Sequence, residues 1–164
     1  MIFELKKNLH SLGGDFALRD ETLISFCNID FIKGGIVLTN AKGQLIAQLF
    51  QSKNFVTVTI ADGPSLTVNQ LYDIKQAEID DEERSFINDS IKHRQDNSIY
   101  SHFGNPSAFR YDLFVAKNTT AQPMLAAEVI PHPWKEDTFK IRIHNNVNQL
   151  KVLALCLAFT LIAK

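Results

Sequence analysis

The closing segment of the chain, Leu150 to Lys164, reads LKVLALCLAFTLIAK. Its residue types favour a helix, and Val152, Leu153, Ala154, Leu155, Cys156, Leu157, Ala158 and Phe159 cover every direction around the axis. A helix without a polar face must be enclosed by protein or by lipid. Length decides between the two. Leu150 to Ala163 is 14 residues, about 21 Å at 1.5 Å per residue, whereas a membrane span takes about 20 apolar residues to cross roughly 30 Å. The segment therefore reads as a core helix, capped by Asn145 or Asn146, and no transmembrane span is expected.

The rest of the chain must supply the enclosure. Short runs alternate apolar and polar residues, as half-buried antiparallel strands do: Phe16 and Leu18; Ile36 and Leu38; Leu45, Ala47 and Leu49; Val56, Val58 and Ile60. Turn signals such as Asn40-Ala41-Lys42-Gly43 and Asp62-Gly63-Pro64 separate them. The pattern returns at Tyr111 to Val115, Met124 to Ile130 and Thr138 to Ile143. Strands of about six residues span about 20 Å, the length of the helix. An eight-stranded barrel leaves room only for side chains, so the enclosure needs more strands. The expectation is a mainly β (α+β) single domain over 1–164, a closed antiparallel β-barrel of about 12 strands around a central hydrophobic C-terminal helix. A sheet with the helix on one face would leave a polar stripe on the helix, and none exists.

Between Pro64 and Ala108 the character changes, with eight acidic residues against four basic. Asp80 to Arg94 reads as an amphipathic helix, because carboxylates crowd its first turn and Lys92, His93 and Arg94 its last. It defines a helical insertion around residues 73–98.

Charge and composition narrow the partners. Seventeen Lys and Arg against eighteen Asp and Glu give a net charge of −1, which argues against nucleic acid as partner, since such binding needs a cationic surplus. At this length a core forms without disulfides or metal. Cys27 and Cys156, the two cysteines, read as reduced core residues. Glu4, Lys6 and Lys7 interrupt the apolar start before a signal-peptide core forms, so a cytoplasmic location, with peripheral contact at the membrane, is expected.

Motifs for chemistry are scarce. The five histidines lack metal-ligand spacing and read as surface residues, and no cofactor or metal is expected. Gly104-Asn105-Pro106-Ser107 is not a nucleophile elbow, Asp80 to Glu83 lacks calcium-loop spacing, and no phosphate loop appears. No enzyme activity is inferred. Period-two spacing puts Lys140, Arg142 and His144 on one strand face, where such a row could grip phosphate groups. Lys6 and Lys7, with His10, form a second basic cluster. A barrel's outer face is polar in any case, so solvation alone accounts equally for both. Trp134, in Pro131-His132-Pro133-Trp134-Lys135, either inserts at a membrane interface or plugs the barrel end; the stiff, proline-flanked loop reads as the plug.

LKKNLHSLGGDFALRDE (Leu5 to Glu21), LTNAKGQLIAQL (Leu38 to Leu49) and DTFKIRIHNNVNQLKVLALCLAFTLI (Asp137 to Ile162) resemble the tubby C-terminal-like superfamily. The likeness is to small bacterial proteins related to the plant LURP-one-related proteins and to phospholipid scramblases, and covers roughly two thirds of the chain. It implies a twelve-stranded barrel around a hydrophobic helix; the excursion from Pro64 to Ala108 is longer than the usual family connection. Tubby domains bind phosphoinositide headgroups through basic residues, but none of those positions is matched here, so the resemblance supplies a ligand class and no site. It points to a non-enzymatic binding module for anionic phospholipid or another phosphorylated ligand. The alternative is a structural or protein-interaction domain that uses the acidic insertion to dock a partner protein. A third, scramblase-like, reading puts the terminal helix in a bilayer.

Overall fold

The computed structural model describes residues 1–8, 16–19, 25–32, 35–40, 42–60, 65–76, 98–144, 147 and 149–162. Their elements run β1 (Ile2–Lys6), β2 (Phe16–Arg19), β3 (Ser25–Ile32), β4 (Gly35–Thr39), β5 (Leu45–Gln51), β6 (Phe55–Ile60), β7 (Leu66–Asn69), β8 (Ile74–Gln76), β9 (Ile99–Asn105), β10 (Arg110–Ala116), β11 (Met124–Pro131), β12 (Thr138–Ile143) and α1 (Gln149–Ile162). The alternating runs fold as strands where the sequence places them. The amphipathic helix over Asp80 to Arg94 and the caps Asn145 and Asn146 lie outside the described residues.

All the strand pairs are antiparallel and fall into two sheets. One has the order β1-β12-β11-β10-β9, the other β2-β3-β4-β5-β6-β7-β8. Neither closes into a barrel, which corrects the closed cylinder expected above. Among the described residues no ladder joins β1 to β2 or β8 to β9; the sheets meet through side chains and through the helix between them. The physical reason is plain. An apolar helix demands that every side be covered, and two opposed sheets satisfy that demand as well as one closed ladder.

Every residue of α1 from Lys151 to Ile162 is buried. The helix lies against β5, β6 and β7 of the larger sheet and against β11 and β12 of the smaller. Inward residues of the strands complete the core: Ile36, Leu38, Leu49, Val56, Val58 and Val68 on one side, Phe3, Leu5, Leu113, Val129, Phe139 and Ile141 on the other. The polar exceptions are satisfied locally. Thr160 donates its hydroxyl hydrogen to the Cys156 carbonyl at 2.9 Å, and the Lys151 ammonium sits 5.2 Å from the centre of the Tyr100 ring. At the helix end, Gln51 Nε2 donates to the Leu161 carbonyl at 2.9 Å, meeting an acceptor that helix geometry leaves open.

An aromatic trio bridges the sheets near that end. Tyr72, on the turn between β7 and β8, lies 6.0 Å from His102 of β9 and 6.0 Å from Phe159 of α1, and His102 lies 5.5 Å from Phe159.

Leu157 is fully buried and close-packed, so Leu157→Ala is expected to cost about 2–5 kcal/mol in urea unfolding. A loss of less than about 1 kcal/mol would contradict enclosure of the helix.

Candidate functional site

Register decides what the basic row on β12 can do. Lys140 lies opposite Glu4 of β1, and Arg142 opposite Glu128 of β11. The ion pairs follow: Lys140 to Glu4 at 3.9 Å and Arg142 to Glu128 at 3.7 Å. His144 Nε2 comes only to 4.0 Å from Glu128 and makes no hydrogen bond among the described residues. Lys140, Arg142 and His144 thus share a face, as the spacing predicts, but carboxylates compensate that face. A phosphate binding there must displace them.

Lys6 and Lys7 are at the end of β1, beside the connection from β11 to β12. Lys6 Nζ donates to Asp137 at 2.7 Å. That bond, helped by one from the Thr138 hydroxyl, holds the exposed Asp137 carboxyl below its ordinary range. Lys7 donates its backbone N–H to the Asp137 carbonyl at 2.8 Å, and its ammonium lies 5.4 Å from the centre of the Phe109 ring.

The connection itself is built by His132. Its Nδ1 accepts from the backbone N–H groups of Trp134 at 3.1 Å and Lys135 at 3.2 Å. A nitrogen that accepts carries no proton, so the neutral ring keeps its hydrogen on Nε2, which faces Glu4 at 3.3 Å. The Trp134 ring rests edge-on to His132 at 6.0 Å. Trp134 is nevertheless 86% exposed. This corrects the barrel plug: the prolines and His132 hold the indole outward. Lys135, half-exposed, reaches Glu4 at 3.5 Å.

Glu4, Glu128 and the structural role of His132 escaped the sequence reading. Strand register alone reveals the two carboxylates as counter-ions. A histidine two residues before the exposed tryptophan was a readable turn signal, since a side-chain acceptor can bind N–H groups two and three residues ahead.

Two ionisable side chains of the interior are held in their neutral forms. Cys156 is buried and free, and burial pushes its thiol up to about 12, so it stays protonated and inert. Burial, then the neighbouring Cys156, raises the Tyr111 phenol well above 10.0. The side chain of Cys27 lies outside the described residues. Among the described residues no group of three His, Cys, Asp or Glu side chains could hold a metal ion. No helix there is long and apolar enough to cross a membrane.

Comparison with known proteins adds the fold and little else. No family model and no curated protein matches the sequence. The X-ray structure of a protein from Arabidopsis thaliana is similar over 99% of this chain and 92% of that one, with a TM-score of 0.58 at 11% identity. At that identity the likeness shows the fold alone.

His102 gives the structure a pH dependence. Burial lowers its pKa from 6.5, and Asp73 partly opposes this. The folded state therefore prefers the neutral ring. The unfolded chain takes up the proton first as pH falls through about 6.5, so stability is full above that value and declines below it. The drop in urea midpoint between neutral pH and a pH below the lowered value should shrink in His102→Phe. An equal drop in both proteins would show that His102 contributes nothing.

Proposed function

We propose that this protein is a non-enzymatic binding module of the tubby C-terminal-like superfamily that associates with anionic phospholipid at a cytoplasmic membrane face. The observation that carries the reading is Trp134, held outward on a braced loop with Lys135 beside it and with Lys6 and Lys7 at the adjoining strand end. An indole has an apolar body and a polar N–H, and settles at the headgroup level of a bilayer. Lysines beside it add about 1 kcal/mol each near an anionic surface. The sequence resemblance supports the same ligand class.

Within the basic set, position relative to the tryptophan loop separates two groups, since Lys6 is itself paired with Asp137. Lys6 and Lys7 lie next to the tryptophan loop and serve the lipid contact directly. Lys140, one row behind, and Arg142 and His144, further along β12, are tied to Glu4 and Glu128 and contribute less.

The protein-interaction reading uses the acidic insertion. Most of that segment, 77–97, lies outside the described residues, so no observation favours it here.

Sedimentation with vesicles tests the proposal. The protein should pellet with mixed phosphatidylcholine and phosphatidylserine vesicles and stay in solution with phosphatidylcholine alone. Trp134→Ala should weaken binding on the order of tenfold, and Lys6→Ala with Lys7→Ala should lower the salt-sensitive part. Lys140→Ala with Arg142→Ala should have the smaller effect. No sedimentation with the mixed vesicles would overturn the reading.

A further inference from the structure

We infer that the membrane contact is made by one whole end of the molecule, where a second apolar tip, Leu71, stands at the same end as Trp134. The inference rests on the lipid-binding reading above and adds the surface and its orientation.

The placement follows from register. Tyr111 pairs with Val129 and Val115 with Met124, so the turn at Pro106–Ala108 and the Trp134 loop leave the smaller sheet at the same end. The helix finishes there too, because Phe159 packs on Tyr111 at 5.1 Å and on His102. The larger sheet reaches the same end: Gln51 bonds the Leu161 carbonyl, and Gln70 donates its N–H to the Asn54 carbonyl at 2.7 Å. The tips 52–54 and 70–73 thus stand around the helix terminus with the Trp134 loop.

This end also gathers the most exposed large apolar side chains among the described residues. Leu71 is 87% exposed, Trp134 86% and Phe103 76%, and half-exposed Phe55, paired with Asn69, adjoins the Leu71 turn. Like the Trp134 loop, the Leu71 turn is braced. Asn69 Oδ1 accepts from the N–H groups of Leu71 at 2.9 Å and Asp73 at 3.1 Å. Tyr72, at φ 60, takes the left-handed conformation that bulky residues avoid. That bend sends Tyr72 inward onto Phe159 and His102 and leaves Leu71 pointing out.

Charge selects the occupant. Among the described residues, Lys6, Lys7, Lys53, Arg110, Lys135 and Lys140 lie at this end, against Glu4, Asp73, Glu136 and Asp137, with Glu4 shared between Lys135 at 3.5 Å and Lys140 at 3.9 Å. Among the described residues, six cations against four carboxylates leave this end a surplus of two positive charges, on a protein whose net charge is −1. Apolar side chains projecting from a cationic rim fit an anionic lipid surface: the tips enter the acyl boundary and the lysines stay at the headgroups. The helix, inside the protein, then stands upright on the membrane surface with its C-terminal end facing the lipid.

Trp134 is the single tryptophan, so a tryptophan can be moved between the tips. In Trp134→Phe with Leu71→Trp, mixed phosphatidylcholine and phosphatidylserine vesicles should shift the emission to the blue, as they do for Trp134 in the native chain. Leu71→Glu should weaken sedimentation about tenfold. Met124→Glu, at the opposite end of β11, should leave it unchanged. Circular dichroism confirms that each variant is folded. If Trp134→Ala weakens binding while Leu71→Glu does not, and the moved tryptophan shows no shift, the two-tip surface is wrong and the lipid-binding reading stands. If the native chain binds no vesicle, both fall.

Discussion

The structure depends on excluding water from a helix that has no side fit to face it. Helices in small domains usually rest one face on a sheet and give the other to solvent. In α1 the residues from Lys151 to Ile162 are all inside, so the strands must cover every side of it, and they do so as two opposed walls. The chain's alternating strands, antiparallel pairing and hairpin turns all serve this requirement. Cross-wall contacts are made by side chains, as in the Tyr72, His102 and Phe159 trio, because no ladder joins the sheets among the described residues.

That arrangement pushes function outward. The core is filled by a helix, and the thiol and phenol described in it are protonated. The flat outer surface of the smaller sheet is also quiet, since Glu4 and Glu128 face the cations of β12. What remains is the rim. There the hairpin turns are free of the sheet's pairing rules, and polar side chains, His132 and Asn69, fix their shapes by accepting from two backbone N–H groups each. Rigid turns present apolar residues at little entropic cost on binding, which suits a surface contact.

The sequence made the helix and most strand positions legible, because both are local signals. The all-round apolar run from Val152 to Phe159 specifies burial, and period two specifies strands such as Val56 to Ile60. Closure of the sheet is not local. It depends on which edges pair, and nothing in the helix distinguishes a closed cylinder from two walls. The site was half legible for the same reason. Lys140 and Arg142 are visibly on one face, but their counter-ions come from strands distant in sequence, and only the register brings Glu4 and Glu128 across from them. Trp134 read as a plug because its flanking prolines indicate stiffness and carry no information on direction; the bonds to His132 supply it.

Amide hydrogen exchange across α1 tests the enclosure most directly. If the helix is held between both walls, the amides of residues 154–160 exchange only when the whole molecule unfolds, with the opening free energy that urea unfolding gives for the global transition. Exchange of those amides through a smaller opening, while the strands of both sheets stay protected, would contradict the account.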